Sequence, residues 1–173
     1  HLSAPQLSWI LKRGIHLASL HLPPFPDTFP FPPNLKAEQT RIRDAVTSLA
    51  LNGRLDKLET ISLSGCYYIG DADLAAVLSK CYGSMKRIDI LRCVVTKSAA
   101  AHIKRCTNLE AFTLSEYETA AELAEIFESC RKLRKVDLGS CGVKLTDGVV
   151  QSVAAHSPLL EHLSLFGCST VSN

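Results

Sequence analysis

The sequence predicts a repetitive α/β architecture in which short parallel strands stack rung upon rung, each followed by a helix. Three observations predict it. First, a nine-residue segment recurs as LETISLSGC from 58, MKRIDILRC from 85, LEAFTLSEY from 109, LRKVDLGSC from 133 and LEHLSLFGC from 160. The starts are 27, 24, 24 and 27 residues apart, a spacing typical of stacked structural repeats. Second, the shared pattern is apolar-x-x-apolar-x-apolar-x-x-Cys, and its fourth and sixth positions alternate as a strand with one buried face requires. Third, the stretches between copies carry apolar stripes at helical spacing. One strand and one helix cannot close a core, so the units must bury their faces against one another along a continuous axis.

The elements follow in order. Residues 5–13 read as a first helix, with Pro5 in its first turn, Gly14 beyond its end and Trp9 assigned to the core. LASLHLPPF, from Leu17, is an imperfect copy of the repeat that keeps Leu17, Leu20 and Leu22 but ends in Phe25. From Pro23 to Pro33 the chain reads PPFPDTFPFPP, which holds six of the eight prolines. Proline lacks the amide donor, so this is neither helix nor central strand. It reads as a loop whose Phe25, Phe29 and Phe31 pack on the edge of the stack; its P-x-x-P spacings leave a polyproline-binding partner as the alternative. Residues 34–51 form a helix with Ile42, Ala45, Val46 and Leu49 on one face.

Regular repeats then run from 58. Ile61 and Leu63, Ile88 and Ile90, Phe112 and Leu114, Val136 and Leu138, and Leu163 and Leu165 are the buried pairs. Helices are expected over 71–81, 97–106, 119–130 and 146–157, with Asp71 and Thr119 as N-caps and Thr119 with Glu122 as a capping box. After Cys168 only STVSN remains, so the last unit lacks a helix. With no Met at the start, this reads as a piece of a longer array. The domain organisation expected is a single unit over 1–173: a divergent N-terminal part (1–57) and regular repeats (58–173), the last truncated.

All seven cysteines are absorbed by the repeat. Cys66, Cys93, Cys141 and Cys168 take the ninth position, where Tyr117 substitutes once. Cys81, Cys106 and Cys130 lie three or four residues before a strand segment, with His156 in the equivalent place later. They read as small semi-buried thiols at tight turns, weakly bonded to backbone carbonyls. No C-x-x-C pair occurs, so no zinc site and no cofactor is expected. Unpaired thiols in this number fit a reducing compartment, cytoplasmic or nuclear.

Composition narrows the function classes. Hydrophobic residues are 46% and charged residues 21%, and the net charge is +2, so no bulk field points to nucleic acid or to a membrane. No apolar run is long enough to span a bilayer, and no signal peptide is visible. His16, His21, His102, His156 and His162 show no metal spacing. There is no G-x-S-x-G and no phosphate-cradling glycine loop, so no catalytic residue is assigned.

The repeats resemble the leucine-rich-repeat family, and within it the cysteine-containing subtype of F-box/leucine-rich-repeat proteins. The residues that carry this are CGVKLTDGVV (141–150) followed by LLEHLSLFGC (159–168), with YIGDADLAAVLSKC (68–81) similar. The resemblance covers 58–168 well and 17–25 weakly. It implies a right-handed horseshoe, with a parallel sheet on the concave face and helices on the convex face. It also implies a protein-interaction scaffold, the substrate-recognition region of an F-box-type ubiquitin-ligase adaptor. The Leu-Pro opening of an F-box is missing here, so contact with cullin-ligase machinery would need an F-box upstream of His1. The alternatives are a regulatory repeat protein, such as a GTPase regulator or cell-cycle antagonist, and the repeat region of an immune sensor.

On such a sheet the third, fifth and seventh positions face outward to a protein partner. Leu91 and Phe166 are apolar there and are the candidate anchors. Arg87, Asp89, Lys135, Asp137, His162 and Ser164 supply polar specificity. The second position reads Glu59, Lys86, Glu110, Arg134 and Glu161, alternating in sign, which predicts a charge ladder across neighbouring rungs.

Overall fold

The computed structural model describes residue 9 and residues 16–22, 35–52, 54–93, 96–115, 120–139, 145–169 and 171. Its elements are β1 (Ser19–His21), α1 (Leu35–Asn52), β2 (Thr60–Ser62), α2 (Asp71–Leu78), β3 (Arg87–Ile90), α3 (Lys97–Ile103), β4 (Ala111–Leu114), α4 (Ala120–Ser129), β5 (Lys135–Asp137), α5 (Asp147–His156) and β6 (His162–Ser164). The six strands form one parallel sheet in chain order. This is the leucine-rich-repeat solenoid expected from the repeat.

Register is locked by the repeat itself. Thr60, Arg87, Ala111, Lys135 and His162 lie side by side, as do Ile61, Ile88, Phe112, Val136 and Leu163. The carbonyl at the second position of each rung accepts two amides from the next. Glu59 O takes Lys86 N and Arg87 N at 2.8 and 2.9 Å, and Glu110 O takes Arg134 N and Lys135 N at 2.8 and 3.0 Å. The same doubled bond recurs from Ala18 to Arg134, which is why strands of three or four residues suffice.

The core is one continuous cluster between sheet and helices. The fourth and sixth positions are buried from Leu20 and Leu22 through Val136 and Leu138. Each such side chain contributes roughly 1.5–3 kcal/mol before entropic costs. Leu163 departs from its expected burial: it is 38% exposed, and Leu165 is half-buried. Among the described residues no rung lies beyond β6, so one flank of these side chains meets solvent. Trp9 also departs from its core assignment. It lies in helical backbone but is 52% exposed.

The N-cap of the first regular helix lies one residue earlier than expected. Gly70, not Asp71, is the N-cap of α2, and the Asp73 carboxylate accepts the Gly70 N–H at 3.1 Å. Asp73 is buried and also meets Arg43 Nε at 3.3 Å, tying α1 to α2. Asp71, free of the cap, reaches forward. Its carboxylate accepts the Thr96 N–H at 2.7 Å and the Thr96 hydroxyl at 2.5 Å, which joins the start of α2 to the N-cap of α3. The expected cap at Thr119, the loop aromatics Phe25, Phe29 and Phe31, Tyr117 and Cys141 lie outside the described residues.

Candidate functional site

The outward face of the sheet is built by strand alternation. With the fourth and sixth positions inside, the third and fifth must point away. Arg87, Lys135 and His162 of the third row are exposed, and Asp89, Asp137 and Ser164 of the fifth row are half-buried. Two shallow grooves cross this face. One, of about 430 Å³, runs over β4, β5 and β6 and is lined by Thr113, Lys135, Asp137, His162 and Ser164 among others. The other, of about 250 Å³, is lined by Arg87, Glu110, Ala111, Arg134, Lys135 and Glu161. The sequence-expected polar residues other than Asp89 thus line these grooves, with Lys135 and Ala111 common to both.

The two charged rows differ in state. Asp89 accepts the Ser62 hydroxyl at 3.0 Å and the Leu91 N–H at 3.4 Å. Asp137 accepts the Gly139 N–H at 2.9 Å. Both carboxylates therefore hold the turn that ends their own strand, the local side-chain-to-backbone bond that aspartate favours. Among the described residues, the side chains of Arg87, Lys135 and His162 make no hydrogen bond or ion pair.

The seventh position is less uniform than strand alternation predicts. Phe166 is 83% exposed, as expected of an anchor, whereas Leu91 is half-buried. Ser115 and Gly139 of the same row are buried. Ser115 accepts the Arg92 N–H at 3.0 Å, and a side chain on Gly139 would stand 3.6 Å from the Phe166 carbonyl oxygen. The chain is already turning at this position, so the strand rule no longer applies. The eighth position carries a requirement the apolar pattern left unread. Gly65, Arg92 and Gly167 all have positive φ there, at 75°, 56° and 74°. Glycine populates that region without steric cost, which accounts for SGC and FGC in the repeat.

The expected charge ladder forms along the strand starts as two separate pairs, with Glu110 between them in neither. Lys86 Nζ reaches Glu59 Oε1 at 2.8 Å, and Arg134 pairs with Glu161. The bond to Glu59, then its charge, raises the Lys86 pKa, with Glu110 adding to the effect.

Among the described thiols, the expected bonds to backbone carbonyls form, but Cys66, Cys81, Cys93, Cys106 and Cys130 are buried rather than semi-buried. Cys93 Sγ donates to Leu63 O at 3.0 Å and Cys168 Sγ to Leu138 O at 3.2 Å, each from the ninth position of one rung to the sixth of the rung before. Cys130 Sγ lies 3.5 Å from Cys106 O in a second series on the helix side. Burial pushes Cys81, Cys93 and Cys130 up to about 12, and raises Cys66 and Cys106 as well. Thiols held protonated are poor nucleophiles. Among the described residues no group of three or more His, Cys, Asp or Glu could hold a metal ion.

One placement is corrected. The residue that follows Cys81, Cys106 and Cys130 in the helix-side series is Ser157, not His156. Ser157 N bonds Val153 O and Leu160 N bonds Ser157 O, as Cys130 N bonds Ile126 O and Leu133 N bonds Cys130 O. His156 instead turns its ring to Ser152.

Comparison with known proteins agrees with the fold. No family model matches the chain. A curated relative, F-box/LRR-repeat protein 4 of Bos taurus, is 28% identical over 121 residues, covering 66% of this chain and 19% of its own length. The chain thus spans about a fifth of that relative. Among solved structures, the tropomodulin C-terminal domain from structural genomics of Caenorhabditis elegans superposes with a TM-score of 0.64 at 12% identity, covering 91% of this chain and 93% of that one.

Proposed function

We propose that this leucine-rich-repeat protein is a protein-interaction scaffold that binds its partner on the sheet face and serves as the substrate-recognition region of an F-box-type ubiquitin-ligase adaptor. It acts by binding, with no chemistry of its own, and the whole chain works as one repeat domain. The observation that carries the reading is the grooved outward face. Polar side chains there stand on short, doubly bonded strands, so the surface is rigid before a partner arrives. Arg87, Asp89, Leu91, Lys135, Asp137, His162, Ser164 and Phe166 are the proposed contacts. The ligase part of the reading rests on similarity to F-box/LRR-repeat protein 4. The buried, protonated thiols favour the cytosol or nucleus, and no described helix is long and apolar enough to cross a membrane.

Two measurements test it. A photo-cross-linking residue placed at Thr113, on the sheet, should trap a partner in cells; the same residue at Ala121, on the exposed side of α4, should not. Equal trapping at both sites would refute binding on the sheet face. Cullin-ligase subunits should co-purify with the full-length protein. Their absence would leave the regulatory reading, without ligase function, in place.

A further inference from the structure

We infer that the row Arg87–Ala111–Lys135–His162 is a docking trough for acidic side chains of an extended peptide. The inference rests on the sheet face being the binding surface, and it names the partner's chemistry.

The sign of the surface decides the partner. Counted by residue type, the face is balanced, with Asp89 and Asp137 opposite Arg87 and Lys135. Counted by what each charge does, it is not. The two carboxylates are half-buried and spend their lone pairs on Ser62, Leu91 and Gly139. One rung-row away, Arg87 and Lys135 are exposed, and their side chains have no partner among the described residues. The neighbouring cations Lys86 and Arg134 are already paired with Glu59 and Glu161. Of the charges left over, Arg87 and Lys135 stand against Glu110 alone, so the unspent charge on this face is net positive and its cations lie in one line.

The geometry of that line suits a carboxylate. Arg87, Ala111, Lys135 and His162 are direct register neighbours on β3 to β6. Rungs lie about 4.8 Å apart, so Arg87 and Lys135 stand roughly 10 Å apart with only the Ala111 methyl between them. A carboxylate above Ala111 lies within reach of both long side chains. The two grooves meet at Ala111 and Lys135. A strand-like segment running across the rungs could place one acidic residue there and, with side chains alternating, another near His162. Thr113 and Ser164 offer neutral hydroxyls beside the path. A cationic line of this kind gives specificity and association rate more than raw affinity, and salt weakens it.

The test uses the 173-residue chain and two fluorescein-labelled peptides, one alternating aspartate with threonine and one with asparagine in place of aspartate. Anisotropy titrations should show the aspartate peptide binding about tenfold more tightly than its asparagine counterpart, a difference of about 1.4 kcal/mol, with the preference shrinking as salt is raised. The double variant Arg87→Glu and Lys135→Glu should abolish the preference. Lys36→Glu with Lys80→Glu, which makes the same charge change on exposed helix-side residues, should preserve it. Unchanged thermal melts would establish that both variants fold. Equal binding of the two peptides, no binding of either, or equal loss in both double variants would overturn the inference. Should Thr113 still trap a cellular partner while the aspartate peptide fails, the sheet face stands as the binding surface and only its acidic partner falls.

Discussion

Ser157 occupies, one rung further on, the place that Cys130 holds in the preceding repeat, and it is buried there with its hydroxyl bonded to nothing among the described residues. The backbone bonds around the two residues match, so the site is the same and only the atom differs. Cys130 reaches Cys106 O at 3.5 Å through its longer C–S bond. The shorter serine side chain falls short of the equivalent carbonyl.

The first prediction follows from that orphan. A buried hydroxyl without a partner costs about 1–3 kcal/mol. Ser157→Cys should therefore raise stability by about 1 kcal/mol, and Ser157→Ala should not lower it, as read from urea unfolding midpoints. A loss of stability in the alanine variant would mean that the hydroxyl is satisfied after all.

Leu138 tests the core. It is fully buried on β5's inward row. Leu138→Asp would place a carboxylate among hydrocarbons with no partner, at a cost of several kcal/mol. Cooperative unfolding should vanish from the circular-dichroism melt; a wild-type profile would contradict the burial.

Gly65 tests the turn. Its φ of 75° is a region that side-chain-bearing residues enter at a cost of roughly 1–2 kcal/mol. Gly65→Ala should lower stability by about that amount, while Ser64→Ala, one residue earlier, should change it by under about 0.5 kcal/mol. Equal effects at the two positions would refute a conformational role for the glycine.

Alkaline pH should unfold the protein through its thiols. In the unfolded chain a thiol loses its proton near pH 8.5. In the folded protein burial holds Cys81, Cys93 and Cys130 up to about 12. Between those values the folded state binds more protons than the unfolded one, so stability is fully present below about pH 8.5 and falls above it. Each such thiol adds a slope of about 1.4 kcal/mol per pH unit. Urea midpoints measured from neutral pH to pH 10 should fall accordingly. A flat profile would indicate that the thiols are not shielded.

The strands, their register and the outward third and fifth rows were legible because every copy of the repeat states the same alternation; the seventh row was not, because the chain is already turning there. What stayed hidden depends on a one-residue ambiguity or on an end. Cys81 precedes Met85 by four residues, whereas Cys106 and Cys130 precede Leu109 and Leu133 by three. Counting back from Leu160 therefore admits both His156 and Ser157, and backbone bonding alone chooses Ser157. Asp71 has the side chain of an N-cap, yet it stands at the first helical position after Gly70 and bonds Thr96 at the start of the next helix. Leu163 obeys the pattern in every letter and is still 38% exposed. Burial of a repeat residue belongs to its neighbours as much as to itself. The candidate site was legible as a set of outward positions. Which of its charges were already spent was not, because the turn bonds of Asp89 and Asp137 leave no mark on the strand pattern.

The strands are ordered in the sheet as they are in the chain, and the main contacts between elements join nearest neighbours. Tension applied between the two ends would accordingly be borne by one rung boundary at a time. The molecule would lengthen in discrete steps; each regular repeat would release a 24- or 27-residue unit, or roughly 80–95 Å of extended chain. Such a spring gives way from its edges while its middle keeps its shape.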